Sequence, residues 1–103
     1  PLNRGLKVWI LPDASGLICF EDYRQNDNCY VLDVYGEFRY RLTVPCELIK
    51  YDVPAESKRW FRNVGDYLGG GYGVSAWIES AGDFYFELDY HAGRFLWGKE
   101  IRF

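Results

Sequence analysis

Two stretches near the end of the chain constrain its fold more than any other feature. Val74, Ala76 and Ile78 alternate with Ser75, Trp77 and Glu79, and Phe84, Phe86, Leu88 and Tyr90 alternate with Tyr85, Glu87 and Asp89. Successive side chains of extended backbone point to opposite sides, so apolar residues at every second position are what a strand with one face in a core requires. The intervening Ser80-Ala81-Gly82-Asp83 is rich in turn formers, so the two stretches are expected to fold back as an antiparallel pair. His91-Ala92-Gly93 supplies a further turn. Arg94 to Trp97 and Glu100 to Phe103 then flank Gly98-Lys99, a glycine-first link that suits a type II′ hairpin.

The first half of the chain extends this pattern. Leu6 to Leu11 and Leu17 to Phe20 are short apolar runs separated by Pro12-Asp13-Ala14-Ser15-Gly16, and read as two strands. Glu21 to Asn28 is the most polar stretch and reads as a surface loop, in which Asn26-Asp27-Asn28 offers side-chain oxygens for local turns. Cys29 to Tyr35 and Glu37 to Val44 flank Gly36. In the second of these, Phe38, Tyr40, Leu42 and Val44 face one way and Glu37, Arg39, Arg41 and Thr43 the other. One segment breaks the period. Pro54 suits a first helical position and Glu56 a first turn, after which Trp60, Phe61, Val64, Tyr67 and Leu68 recur as a helical stripe. Lys58, Arg59 and Arg62 lie opposite that stripe, and Gly69 supplies a stop. The expected fold class is therefore α+β: a mainly antiparallel sheet of about six to eight short strands, packed by one amphipathic helix near residues 54–68. The 103 residues are the size of one domain.

Charge narrows the function classes. Twelve Lys and Arg against 15 Asp and Glu give a net charge of −3, whereas a protein that binds nucleic acid by neutralising phosphates carries a basic excess. Direct nucleic-acid binding is not expected. No run of apolar residues approaches a membrane span, and Pro1-Leu2-Asn3-Arg4 leads into the first strand without an apolar leader, so the expectation is a soluble, cytoplasmic chain. Cys19, Cys29 and Cys46 are odd in number and lack C-x-x-C spacing. They read as small core hydrophobes in a reducing compartment, and no metal or other cofactor is expected.

Candidate catalytic groups are few. Gly69-Gly70-Gly71-Tyr72-Gly73 has the glycine content of a phosphate loop but follows the expected helix instead of preceding one, so a flexible helix exit is the favoured reading and a ligand-gating loop the minor one. His91 is the only histidine. Asp89 two residues earlier is placed to orient it toward a thiol nucleophile, yet a turn histidine beside a solvated aspartate accounts for the same spacing. Glu79 and Glu87 form a carboxylate pair of the type a glycosidase uses, on a chain short for a deep cleft. Asp33 beside Arg39 and Arg41 suggests cross-strand ion pairs. The chain is not expected to be an enzyme.

The charge map is more informative. Between Ile78 and Gly93 there is no Lys or Arg, while Glu79, Asp83, Glu87 and Asp89 all fall there. With the strand phases given above, Trp77, Glu79, Tyr85, Glu87, Asp89 and His91 project from the face opposite the core, an acidic patch set with aromatics. Two readings stand level: a solvated sheet face, and a partner-binding surface in which Trp and Tyr anchor and carboxylates steer a basic protein. The segment Gly82 to Gly93 resembles a strand and turn of small bacterial immunity proteins, including those that neutralise nuclease colicins and polymorphic toxins. It covers about a tenth of the chain and carries over no residue set. What the resemblance implies is a basic toxin domain docked on an aromatic, acidic sheet face. The expected function is thus a small acidic inhibitor of a basic protein, an immunity protein for a toxin nuclease. The alternative is a small-ligand carrier or enzyme with an aromatic-lined pocket inside a curled sheet, and a third reading is a homodimer paired through an edge strand at Glu100 to Phe103.

Overall fold

In the computed structural model, which describes residues 6–22, 25–66 and 71–101, three reversals of the chain are set by local side-chain turn chemistry. The Asp13 carboxylate accepts the Ser15 N–H at 3.0 Å, and Ala14 takes a left-handed φ of 59°. Asp33 Oδ1 accepts the N–H groups of Tyr35 and Glu37 at 2.8 and 2.9 Å. Asp89 Oδ1 does the same for His91 and Ala92 at 3.2 and 3.1 Å. Such side-chain turns reverse the chain within a few residues, so within each sheet consecutive strands pair. Strands β1 (Lys7–Ile10), β2 (Gly16–Phe20), β3 (Cys29–Asp33) and β4 (Phe38–Leu42) form one antiparallel meander in that order. A 3₁₀ turn at Cys46–Leu48 leads into β5 (Arg59–Asp66), β6 (Tyr72–Ile78), β7 (Gly82–Asp89) and β8 (Arg94–Glu100), a second antiparallel meander.

The expected α+β class is overturned: no α-helix occurs among the described residues, and the structure is two four-stranded antiparallel sheets. Residues 54–58 make a turn, with Ser57 N–H donating to the Pro54 carbonyl at 3.0 Å, and the supposed helix is β5. The physical reason is a β-bulge. Phe61 pairs with Ala76 and Asn63 with Ser75, leaving Arg62 as the extra residue. The inward residues Phe61 and Val64 are therefore three apart instead of two, which imitates helical spacing. Trp60 points outward against Trp77. Tyr67, Leu68, Gly69 and Gly70 lie outside the described residues, as do Pro1 to Gly5, Arg102 and Phe103.

Two smaller expectations also fail. A register shift in β3–β4 pairs Val31 with Tyr40 but Leu32 with Phe38, so Phe38 leaves the face of Tyr40 and Leu42 and is 61% exposed. Gly98-Lys99 makes no hairpin, because β8 runs straight through it. Gly98 faces the Phe86 ring, where a Cβ would come within 2.5 Å, so this glycine serves a close approach and not a turn.

Both sheets feed one core. Ile18, Phe20, Cys29, Val31 and Leu42 of the first sheet cluster with Phe61, Val74, Ala76, Ile78, Phe84, Phe86 and Leu88 of the second. The sheets are also joined by hydrogen bonds at the β5 edge. Asn28, fully buried, accepts the Phe61 N–H at 2.7 Å and donates to the Phe61 carbonyl at 3.0 Å. Asn26 Oδ1 accepts the Arg59 N–H at 3.0 Å, and the Asp27 N–H donates to the Arg59 carbonyl at 3.3 Å. This loop thus stands in for a neighbouring strand and seals an edge that would otherwise be open. At β1 the situation differs: all four of its residues are exposed, with Ile10 at 71%, and Val8, Ile10, Leu17, Leu32 and Phe38 give the first sheet an apolar outer face.

Candidate functional site

Register places the candidate residues on the outer face of the second sheet. Phe84, Phe86 and Leu88 are buried in the core, as strand phase requires, which turns Tyr85 and Glu87 outward. Trp77 lies on the same face opposite Trp60, their rings stacked at 4.5 Å between centroids and 28° between planes.

Tyr85 is outward yet only 6% exposed. Its ring lies over Gly73, where a Cβ would meet it at 2.7 Å, and borders Gly65. Trp97 of β8 covers it at 5.5 Å, and its hydroxyl donates to Glu87 Oε1 at 2.6 Å. The Glu87 carboxylate lies against Gly71. Glycines at these positions let an aromatic ring settle on backbone, and the ring in turn fixes the carboxylate. Tyr85, Glu87 and Trp97 form one end of the face.

The other end is built differently. Arg62, the bulged residue, pairs through Nη1 with Asp83 Oδ1 at 3.0 Å. Lys7, Trp60, Arg62 and Trp77 line an open groove of about 300 Å³. An adjoining one of about 520 Å³ shares Lys7 and Arg62 and adds Asn63, Ser75, Asp83 and Ile101.

The six expected site residues therefore do not converge. Trp77, Tyr85 and Glu87 share the outer face, while Glu79, Asp89 and His91 belong to turns at opposite ends of β7. Glu79 accepts the Lys58 N–H at 3.3 Å, Asp89 closes the β7–β8 turn, and the exposed His91 approaches Asp13 Oδ2 at 3.1 Å through Nε2. Asp13 is held below the usual aspartate range, first by its hydrogen bonds from Ser15, against an opposing desolvation effect, with His91 a lesser contribution in the same direction as Ser15. Glu79 and Glu87 lie about 20 Å apart at the strand rise, well beyond the spacing of a glycosidase pair. Asp33 is occupied by its turn, and Arg41 pairs with Glu21 at 2.6 Å instead. Nor is the acid uninterrupted in space. Arg62 meets Asp83, Lys99 is the cross-strand neighbour of Tyr85, and Arg94 that of Asp89.

Trp60, Arg62 and Asn63 escaped sequence reasoning as site residues because β5 imitated a helix, and Lys7 because only tertiary structure brings it to this face. The one available signal was the recurrence of Trp in β5 and β6. Among the thiols, burial pushes Cys29 strongly upward. It also raises Cys46, where the Arg59 guanidinium at 3.0 Å works against the shift. All three cysteines are free and in the thiol form at neutral pH, which suits packing and not nucleophilic attack. Among the described residues no group of three or more His, Cys, Asp and Glu is placed to hold a metal ion, and no helix is long and apolar enough to cross a membrane. Comparison with protein-family models, curated proteins and solved structures finds no match for this chain.

Proposed function

We propose that this chain is a cytoplasmic binding protein that docks a basic protein domain, of the kind a toxin nuclease presents, on the outer face of its second sheet and inhibits it by occupancy. The observation that carries the reading is the Tyr85–Glu87–Trp97 cluster. A carboxylate held at 2.6 Å by the hydroxyl of a largely buried tyrosine, beside a 36% exposed Trp97, is already ordered before a partner arrives. Preorganisation lowers the cost of binding, and Trp and Tyr are favoured anchors of interfaces. The net charge of −3 favours encounter with a basic surface. The core is filled by side chains from both sheets, and the aromatics of the candidate site sit outside it, which favours docking over an enclosed carrier pocket.

Glu87→Lys tests the reading, since Asp89, committed to its turn, is unsuitable for charge reversal. The tagged chain is expected to capture a basic protein from cells of its own source. That protein should be lost on Glu87→Lys, weakened on Tyr85→Phe, and held less tightly as salt rises. A Glu87→Lys chain that melts like the wild type and keeps every captured protein at full affinity refutes it.

A further inference from the structure

We infer that the groove between Lys7 of β1 and the Trp60–Trp77 pair is a binding site for a neutral saccharide. It lies at the opposite end of the face from Glu87 and does not depend on the docking proposed above.

Two features of the lining select the ligand. The first is aromatic: Trp60 and Trp77 line the groove as a stacked pair at 4.5 Å, an apolar wall standing in water. Both are half-buried, so a ligand gains contact area there without first ordering a mobile side chain. The C–H faces of a pyranose ring supply a complementary flat, weakly polar surface. The second feature is polar. Arg62 and Asp83 line the adjoining groove together with Asn63 and Ser75, a set of planar donors and acceptors with one hydroxyl. Sugar hydroxyls both donate and accept, and a site built to satisfy them discriminates sharply against ligands that lack them. The volumes, about 300 and 520 Å³, fall within the usual range of small-molecule sites.

Charge decides against the obvious rivals. A nucleotide would stack its base on the indoles and bring phosphate toward Lys7 and Arg62, but Asp83 already holds that guanidinium at 3.0 Å and its carboxylate would face the phosphate, which leaves Lys7 as the one lining cation not paired with Asp83. A cationic ligand meets Lys7 and Arg62 in the groove itself. The Arg62–Asp83 pair neutralises itself, and hydroxyls can bond to both members without separating them.

The test is an array of neutral and acidic glycans, followed by tryptophan-fluorescence titration of the full chain with the best neutral oligosaccharide. Adenosine monophosphate serves as the stacking anion. The expected result is saturable quenching or enhancement by a neutral glycan, insensitive to salt. Binding should weaken about tenfold or more in Trp77→Ala, a change of about 1.4 kcal/mol. Trp77→Ala also removes the partner of Trp60, so Asp83→Ala provides the second variant: it leaves the indole pair in place and should weaken glycan binding while the melt stays within a few degrees. Glu87→Gln should leave glycan binding unchanged, which separates this site from the docking surface. Failure of every neutral glycan on the array to bind, wild-type affinity in Asp83→Ala and Trp77→Ala, or salt-sensitive binding of adenosine monophosphate in place of glycans would overturn the inference.

Discussion

Asn28 is the residue on which the joint between the sheets depends, and replacing it should cost more than any other polar substitution in the molecule. Its side chain makes three hydrogen bonds: from Phe61 N–H at 2.7 Å, to the Phe61 carbonyl at 3.0 Å and to the Glu21 carbonyl at 3.1 Å. Asn28 is fully buried and Phe61 is 1% exposed. Asn28→Ala thus orphans a backbone donor and a backbone acceptor where water has little access. At about 1–3 kcal/mol for each buried group left unsatisfied, the expected loss is about 3–5 kcal/mol. Set against a total of about 5–15 kcal/mol, that is a large fraction, and the melting temperature should fall by about 15–30 °C. Asn28→Asp sharpens the test through its pH dependence. The new carboxylate would face two carbonyl oxygens in place of the amide's donors, so burial and repulsion raise its folded-state pKa above the unfolded value. The ionised form is then disfavoured in the fold. The variant should be least stable near neutrality and should regain stability, relative to the wild type, as pH falls through the raised value, because the protonated acid supplies one O–H donor. Urea titrations of the three proteins at neutral and mildly acid pH measure both effects. A cost below about 1 kcal/mol for Asn28→Ala, or an Asn28→Asp variant that loses ground to the wild type on acidification, would show that the loop does not hold β5.

Four further outcomes are expected. Phe61→Ala should destabilise by about 3–5 kcal/mol, now as a core strand residue facing Phe95 at 5.8 Å, and a melt shifted by only a degree or two would contradict that placement. Gly73→Ala should destabilise by about 1–3 kcal/mol, because its Cβ collides with the Tyr85 ring and the Phe86 carbonyl; an unperturbed melt, or unchanged near-ultraviolet circular dichroism of Tyr85 and Trp97, would contradict the packing described. Ellman's reagent at about pH 8 should modify Cys46 ahead of Cys19 and Cys29, which are buried and whose thiols burial holds above the ordinary range; mass spectrometry of the labelled peptides reads the order. Ile10→Lys, at 71% exposure on an edge strand, should raise solubility and suppress concentration-dependent light scattering with little change in melting temperature; a melt lowered by more than a few degrees would mean that Ile10 is held by the fold.

How much of this was legible in the sequence depended on whether a strand keeps its period. Residues 73–78 and 82–87 pair residue for residue, and the alternation of β7 gave the correct inward set Phe84, Phe86 and Leu88. Wherever a bulge intervenes, alternation fails. The extra residue Arg62 turned a strand into an apparent helix, and the shift at Arg39 put Phe38 on the wrong face. Bulges follow from how two strands fit together, so one strand read alone carries no sign of them. Gly98 failed for a related reason: glycine marks both a turn and a close approach, and only the Phe86 ring from the neighbouring strand tells which. The Asn26-Asp27-Asn28 loop was read correctly as polar and turn-forming. Its larger role, bonding across to Phe61 thirty-three positions away, is a tertiary fact.

The site shows the same division between what lies along the chain and what lies across it. Along the chain, residues 79–90 are purely acidic in charge, so a charge map drawn in sequence order gives a patch of one sign. Across the sheet, Asp83 meets Arg62 of β5 over the intervening β6, while β8 sets Lys99 beside Tyr85 and Arg94 beside Asp89. An antiparallel sheet interleaves the charges of adjacent strands, so the field at its surface is set by register and not by local composition. Asp83 is consumed by Arg62 and Asp89 by its own turn, which leaves Glu87, positioned by Tyr85, as the carboxylate on this face best prepared to meet a cation. The same pairing that removes Asp83 from an acidic patch places it, neutralised, beside Asn63, Ser75 and two indoles. One register thus divides a single sheet face into an anionic end suited to a basic protein and an aromatic end, with Arg62 and Asp83 paired and Lys7 at its edge, suited to a polyhydroxylated ligand.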